Sequence, residues 1–271
     1  MSGLEHIQDT FAGLHAQGRA ALMPYFTLGY PTPAASLAVV EALARSGADL
    51  IELGVPFSDP LADGPTIQHS TQVALEQGMS VSSCLELVGQ IRARGVRQPL
   101  MLMGYINPLL AYGIERYCAD TRRAGADGLI VPDLPVEEAG AVEAACQANG
   151  LALVYLVAPT STPERIALLA ARTSGFLYMV SVTGVTGARQ ALAADLAGFV
   201  ARTRAVAHTP LAVGFGISSP QQAHALVGLA DGVIIGSALI SAAGKAADPA
   251  QAAAEFIGNI RASMDEGITH P

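Results

Sequence analysis

The sequence predicts an α/β fold: a single (β/α)8 barrel of the TIM type spanning residues 1–271, with an extra helix at its N-terminal end. Three observations lead there. Short apolar runs recur every ~20–35 residues, each followed by a helical pattern rich in Ala, Leu, Glu and Arg. Eight such runs occur. The 271 residues fit two small domains or one large barrel, and no Pro-rich linker or charge cluster divides them. A doubly wound open sheet is the alternative, but it usually has fewer strands and a topological switch point.

Taken in order, residues before Ala20 read as an amphipathic helix, with Ile7, Phe11 and Leu14 on one face, placed to close the barrel bottom. The apolar runs are 21–27, 49–53, 99–104, 128–131, 152–157, 175–180, 210–214 and 232–235. Four follow a small or polar turn: SGAD before Leu50, AGAD before Gly128, NG before Leu151 and LAD before Gly232. SGADLIELGVP and AGADGLIVPDLP nearly repeat, as duplicated helix–turn–strand units do.

Composition narrows the function. The net charge is −8, and the basic residues, fourteen Arg and Lys245, are scattered without a basic run. Nucleic acid and anionic membrane are therefore not expected partners. No apolar run approaches the ~20 residues that cross a bilayer. Cys84, Cys118 and Cys146 have no metal-like spacing and read as free thiols in a reducing compartment. The opening MSGLEHIQDTF has acids and no apolar signal core. A cytoplasmic protein is expected.

In such a barrel the chemistry sits at the C-terminal ends of the strands. IELGVPFSDPLADGPTIQ (51–68) places Glu52 between Ile51 and Leu53. If those two face the helices, Glu52 points into the barrel mouth. A structural carboxylate there would need a buried Arg, and none lies on a predicted strand. Burial without a partner raises a carboxyl pKa, which suits a group that gives and takes a proton. Asp63 lies past the same strand, eleven residues on. In LADGP it could be only a turn residue.

Three glycine-rich stretches follow the later strands: TGVTGAR (183–189), GFGIS (214–218) and IIGSAL (234–239). Glycine lets backbone approach a ligand closely. Ser237 and Ala238 are placed to open a short helix whose N–H groups bind phosphate, at the usual phosphate position of this fold. A phosphorylated small molecule is the expected substrate. The one lysine, Lys245, lies beyond the eighth run, so no strand-end lysine is available for a Schiff base. None of the six histidines falls at a strand's C-terminal end, so no metal site is expected. Acid–base chemistry by carboxylates remains. Carbon–carbon cleavage without imine or metal needs a substrate that is its own electron sink, and an indole protonated at C3 is one.

LIELGVPFSDPLADGPTIQ closely resembles the signature of the tryptophan synthase α-chain family. PYFTLGYP, MGYINPLLAYG, LIVPDLPVEE, LYMVSVTGVTGAR and GFGISSP stand where that family has similar segments. The resemblance implies cleavage of indole-3-glycerol phosphate to indole and glyceraldehyde 3-phosphate, with no cofactor in this chain. It implies a β chain carrying pyridoxal phosphate, which joins the indole to serine, in an α2β2 heterotetramer. By resemblance Glu52 is the acid–base group, and Asp63 holds the indole N–H. Tyr178 lies beside the reacting side chain, and Tyr25, Ile67 and Phe215 line the indole pocket. Gly187, Gly216, Gly236 and Ser237 hold the phosphate, with Thr186 on a closing loop. Val182 departs from the Arg expected in many members. Indole-glycerol phosphate synthase, a stand-alone lyase releasing free indole and a non-catalytic α-like subunit are the competing readings; the first works with strand-end lysines that this chain lacks.

The loops FSDPLADGP and INPLLAYG are expected to expose Phe57, Pro60, Pro108 and Leu109 at the rim as a face for the partner.

Overall fold

The structure, a computed structural model, describes residues 1–180, 189–214 and 216–266, with only the backbone of 189–195. Its strands are β1 (Ala21–Thr27), β2 (Ile51–Gly54), β3 (Leu100–Met103), β4 (Gly128–Ile130), β5 (Ala152–Val154), β6 (Leu156–Val157), β7 (Leu177–Val180), β8 (Leu211–Gly214) and β9 (Gly232–Ile235). Neighbours pair in parallel in the order β5-β4-β3-β2-β1-β9-β8-β7-β6. The two ends of that order, β5 and β6, are separated in the chain by Tyr155 alone, so the sheet curls into a nearly closed barrel.

The expected run 152–157 is thus two strands. The reason is local. The N–H of Leu153 donates to Ser174 Oγ at 2.7 Å, and that of Tyr155 to Thr173 Oγ1 at 3.1 Å. Side-chain hydroxyls take donors that a ladder would have used, and pairing with β7 begins only at Leu156. The start of β2 also differs from the expected 49–53. Asp49 Oδ2 accepts the N–H of Leu22 at 2.8 Å and faces Arg261 Nη1 at 3.2 Å, while the N–H of Asp49 donates to the Leu22 carbonyl at 2.9 Å; the strand proper begins at Ile51.

The N-terminal helix spans Gly3–Ala16. A capping box starts it: Ser2 Oγ accepts the N–H of Glu5, and Glu5 Oε2 accepts that of Ser2. Ile7, Phe11 and Leu14 are buried in the interior cluster, with Phe11 against Phe176 at 5.8 Å between centroids. His6 Nδ1 lies 3.1 Å from Asp127 Oδ1, and the N–H of Gly3 reaches the Gly150 carbonyl at 2.8 Å. The helix closes the barrel bottom as its pattern implies. The interior above it alternates long and small side chains. A Cβ on Gly128 would lie 2.6 Å from Met101 Cε, and one on Gly232 2.7 Å from Met23 Sδ. Glycine at these positions is what lets the methionines fill the barrel to ordinary protein density.

Three connections at the catalytic end carry an additional helix. Pro65–Glu76 precedes Val81–Ala93 after β2, Ile106–Tyr112 precedes Ile114–Ala124 after β3, and Ser237–Lys245 precedes Pro249–Asp265 after β9. These first helices position Asp63, Tyr105 and Ser237, each at or just before a helix start.

Candidate active site

Strand alternation sends Ile51 and Leu53 into the helix-facing core and Glu52 to the inner face of the barrel. The Glu52 side chain is fully buried, and neither of its oxygens has a hydrogen-bond partner among the described residues. Charging a carboxyl in such a place is costly. Burial alone pushes its pKa up to about 8. At neutral pH Glu52 is mostly protonated, an acid with a proton to give.

Asp63 comes from the loop between β2 and the helix Pro65–Glu76. Its N–H donates to the Pro60 carbonyl at 3.0 Å, and Pro65 opens the helix immediately after Gly64. The backbone is therefore the tight turn that LADGP implies. The carboxylate has a separate role. Asp63 Oδ2 accepts the Tyr105 phenol at 2.9 Å, while the Tyr105 oxygen accepts the N–H of Ala62 at 3.0 Å. The Tyr105 ring lies against Phe57, 5.6 Å between centroids. Burial raises the Asp63 pKa and the Tyr105 hydrogen bond opposes that rise. Tyr105 is a functional candidate that sequence reasoning misses. Its only signal is a hydroxyl just past the end of β3.

Tyr25 pairs with Glu52 across the β1–β2 ladder. Tyr178 stands on β7, and both phenols are buried. The Tyr178 pKa is raised by burial first, then by the charges of Glu52 and Asp63 and by Tyr25. The Tyr25 pKa is raised by burial, then by Asp63 and Glu52, against a hydrogen bond from Thr27. The four groups therefore share one space at the barrel mouth. Two glycines make room for the rings. A Cβ on Gly54 would fall 2.0 Å from the Tyr25 hydroxyl oxygen, and one on Gly214 2.4 Å from that of Tyr178. Ile67 is buried in the same apolar cluster as Tyr25.

Gly236 borders this space, since a Cβ there would lie 3.4 Å from Tyr25 Cβ. Ser237 opens the helix Ser237–Lys245, whose start has no side-chain cap. Gly216 adopts φ +79°, open to glycine at little cost. Thr186, Gly187, Phe215 and Val182 lie outside the described residues. Among the described residues no group of three His, Cys, Asp or Glu side chains is placed to hold a metal.

A family model described as "Tryptophan synthase alpha chain" matches residues 11–268. The chain belongs to the tryptophan synthase alpha chain family. The alpha chain of Chloroflexus aggregans is 54% identical over 237 residues, covering 88% of this chain and 89% of that one. The alpha chain of a Caulobacter species is 46% identical over 256 residues, covering 94% and 90%. Among solved structures, tryptophan synthase subunit alpha from Legionella pneumophila superposes with a TM-score of 0.90 at 37% identity, over 96% of this chain and 98% of that one. A chain of Mycobacterium tuberculosis tryptophan synthase gives 0.88 at 41%, over 96% and 98%. The barrel of this alpha chain is thus the family's barrel, and the doubly wound alternative falls.

The rim of this alpha chain is less exposed than expected, most clearly at Leu109. Leu109 is 2% exposed, packed inside, whereas Leu110 is 53% and Leu61 92% exposed. Leu109 sits within the short helix Ile106–Tyr112, whose turn carries one leucine inward and its neighbour outward. Phe57, Pro60 and Pro108 are half-buried.

Proposed function

We propose that Glu52 and Asp63 perform in this chain the reaction of its family, cleavage of indole-3-glycerol phosphate to indole and glyceraldehyde 3-phosphate. As a tryptophan synthase alpha chain the protein is a lyase. The observation that carries the residue assignment is the fully buried Glu52 carboxyl, which has no hydrogen-bond partner among the described residues and a pKa pushed up to about 8.

Glu52 gives its proton to indole C3. The resulting indoleninium is the electron sink. Glu52, now a carboxylate, takes the proton from the hydroxyl on the side-chain carbon bonded to C3. The hydroxyl becomes a carbonyl, the carbon–carbon bond breaks, and its electron pair returns the ring to neutral indole. One proton is given and one recovered, so a single carboxyl serves both steps. Asp63 accepts the indole N–H and opposes the positive charge that develops there. Tyr25, Ile67 and Phe215 line the indole pocket, and Tyr178 lies beside the reacting side chain. Backbone N–H groups of Gly187, Gly216 and Gly236, with Ser237, hold the phosphate, and Thr186 orients Asp63. In this reading residues 1–271 act as one barrel domain, in the cytoplasm, without a cofactor of their own. The product indole passes to a pyridoxal-phosphate β chain in an α2β2 assembly. Leu61 and Leu110, exposed beside the catalytic loop, support a partner at this rim.

Indole release from indole-3-glycerol phosphate by the purified chain, with and without a β chain, tests the reading. Asp63→Asn is expected to lower kcat by roughly 10²–10³, as loss of an aimed electrostatic group does. Wild-type release by Asp63→Asn would remove it from the mechanism.

A further inference from the structure

We propose that Asp133 is a positioning residue for Asp63, acting through Tyr105; the inference rests on the role given to Asp63 above. Asp133 stands in the PDLP stretch beyond β4 and is exposed. Its Oδ1 accepts the N–H of Ile106 at 2.9 Å. Ile106 is the first residue of the helix Ile106–Tyr112, and Tyr105 immediately precedes it in extended backbone, φ −94° and ψ 157°. A residue in that place often satisfies the helix start with its own side chain. Tyr105 does not, since its long, rigid ring cannot fold back onto the helix start, and its hydroxyl binds Asp63. An acceptor from outside is needed, and Asp133 supplies it.

The consequence is geometric. The Asp133 bond holds the peptide between Tyr105 and Ile106, and so sets where the Tyr105 ring projects. Phe57 flanks the ring, and its hydroxyl bridges the Ala62 N–H and the Asp63 carboxylate. Asp133 is also close enough for its charge to act on the Tyr105 phenol, whose pKa burial and Asp63 raise more strongly. One line of contacts thus joins the loops beyond β4, β3 and β2, across sequence separations of 27 and 42 residues. Its last member is the carboxylate that faces the indole N–H. A group held in this way loses transition-state stabilisation when its support is removed, even where the fold survives.

The test is indole release by purified Asp133→Ala, Asp133→Asn, Tyr105→Phe and Asp133→Ala/Tyr105→Phe, with Asp63→Asn as reference. Asp133→Ala is expected to lower kcat about tenfold, with KM within about twofold, because the interaction lost is one made in the transition state. Asp133→Asn keeps an acceptor oxygen and is expected to recover kcat to within about threefold of wild type. The double variant is expected to be no slower than Tyr105→Phe alone, since both substitutions break the same line. A wild-type kcat in Asp133→Ala, a loss seen only in KM, or additive losses in the double variant would overturn the proposal while leaving Asp63 in place if Asp63→Asn is impaired. Full activity in Asp63→Asn would overturn the Asp63 assignment and this proposal with it.

Discussion

Replacing Glu52 by Gln separates the chemistry of the site from its thermodynamic cost. The amide keeps the side chain's shape and cannot ionise. In the folded chain burial lifts the Glu52 pKa from the ordinary 4.5 to about 8. Each tenfold in proton affinity is worth about 1.4 kcal/mol, so the full gap amounts to roughly 3–5 kcal/mol. The sign follows from where the proton is held. Folded Glu52 keeps its proton to higher pH than unfolded Glu52, so this group's contribution to stability falls as pH rises from about 4.5 to about 8 and is flat beyond. Glu52→Gln lacks that loss. The amide carries its own burden, unpaired polar atoms costing about 1–3 kcal/mol, but that burden does not change with pH. The stability of the variant relative to wild type is therefore expected to improve by about 3 kcal/mol or more between pH 5 and pH 8.5. Urea denaturation of both proteins at the two pH values measures it. Indole release is expected to fall by roughly 10²–10⁴, and more if both proton steps are lost. In the wild type kcat/KM is expected to decline above pH ~8, as the acid that must donate to C3 loses its proton. A stability difference that is constant across pH would refute the buried, protonated carboxyl. Wild-type indole release by Glu52→Gln would refute its part in the reaction.

Two further outcomes follow from packing and exposure. Gly54→Ala would place a Cβ 2.0 Å from the Tyr25 hydroxyl oxygen in a barrel already filled, so it is expected to destabilise the chain by about 1–3 kcal/mol; an unchanged denaturation midpoint would mean that the ring moves aside freely. Leu61→Asp alters a side chain that is 92% exposed and is expected to change stability by less than about 0.5 kcal/mol. Titration with a β chain should nonetheless show weaker association, and unchanged affinity would place the docking face elsewhere.

The barrel, its N-terminal plug and the inward-facing carboxyl of Glu52 were legible in the sequence. Each is written in a local period: apolar runs spaced by helices, Ile7, Phe11 and Leu14 on one helical face, and one carboxylate at the inward position of a strand with no strand-borne arginine to meet it. Burial then raises the pKa, and no hydrogen-bond partner among the described residues offsets it. The tertiary structure alone decided what Asp63 touches. Tyr105 is 42 residues away, and only closure of β2 against β3 with their added helices brings the phenol to the carboxylate. It decided the break at Tyr155, where hydroxyls from Thr173 and Ser174 replace a ladder. It also decided which rim leucine is free, since Leu109 and Leu110 are chemically identical and only the direction of a short helix distinguishes them. Periodicity records which face of an element is buried. It does not record which residues of different elements meet, because that is set by how barrel closure and the connecting helices orient the loops.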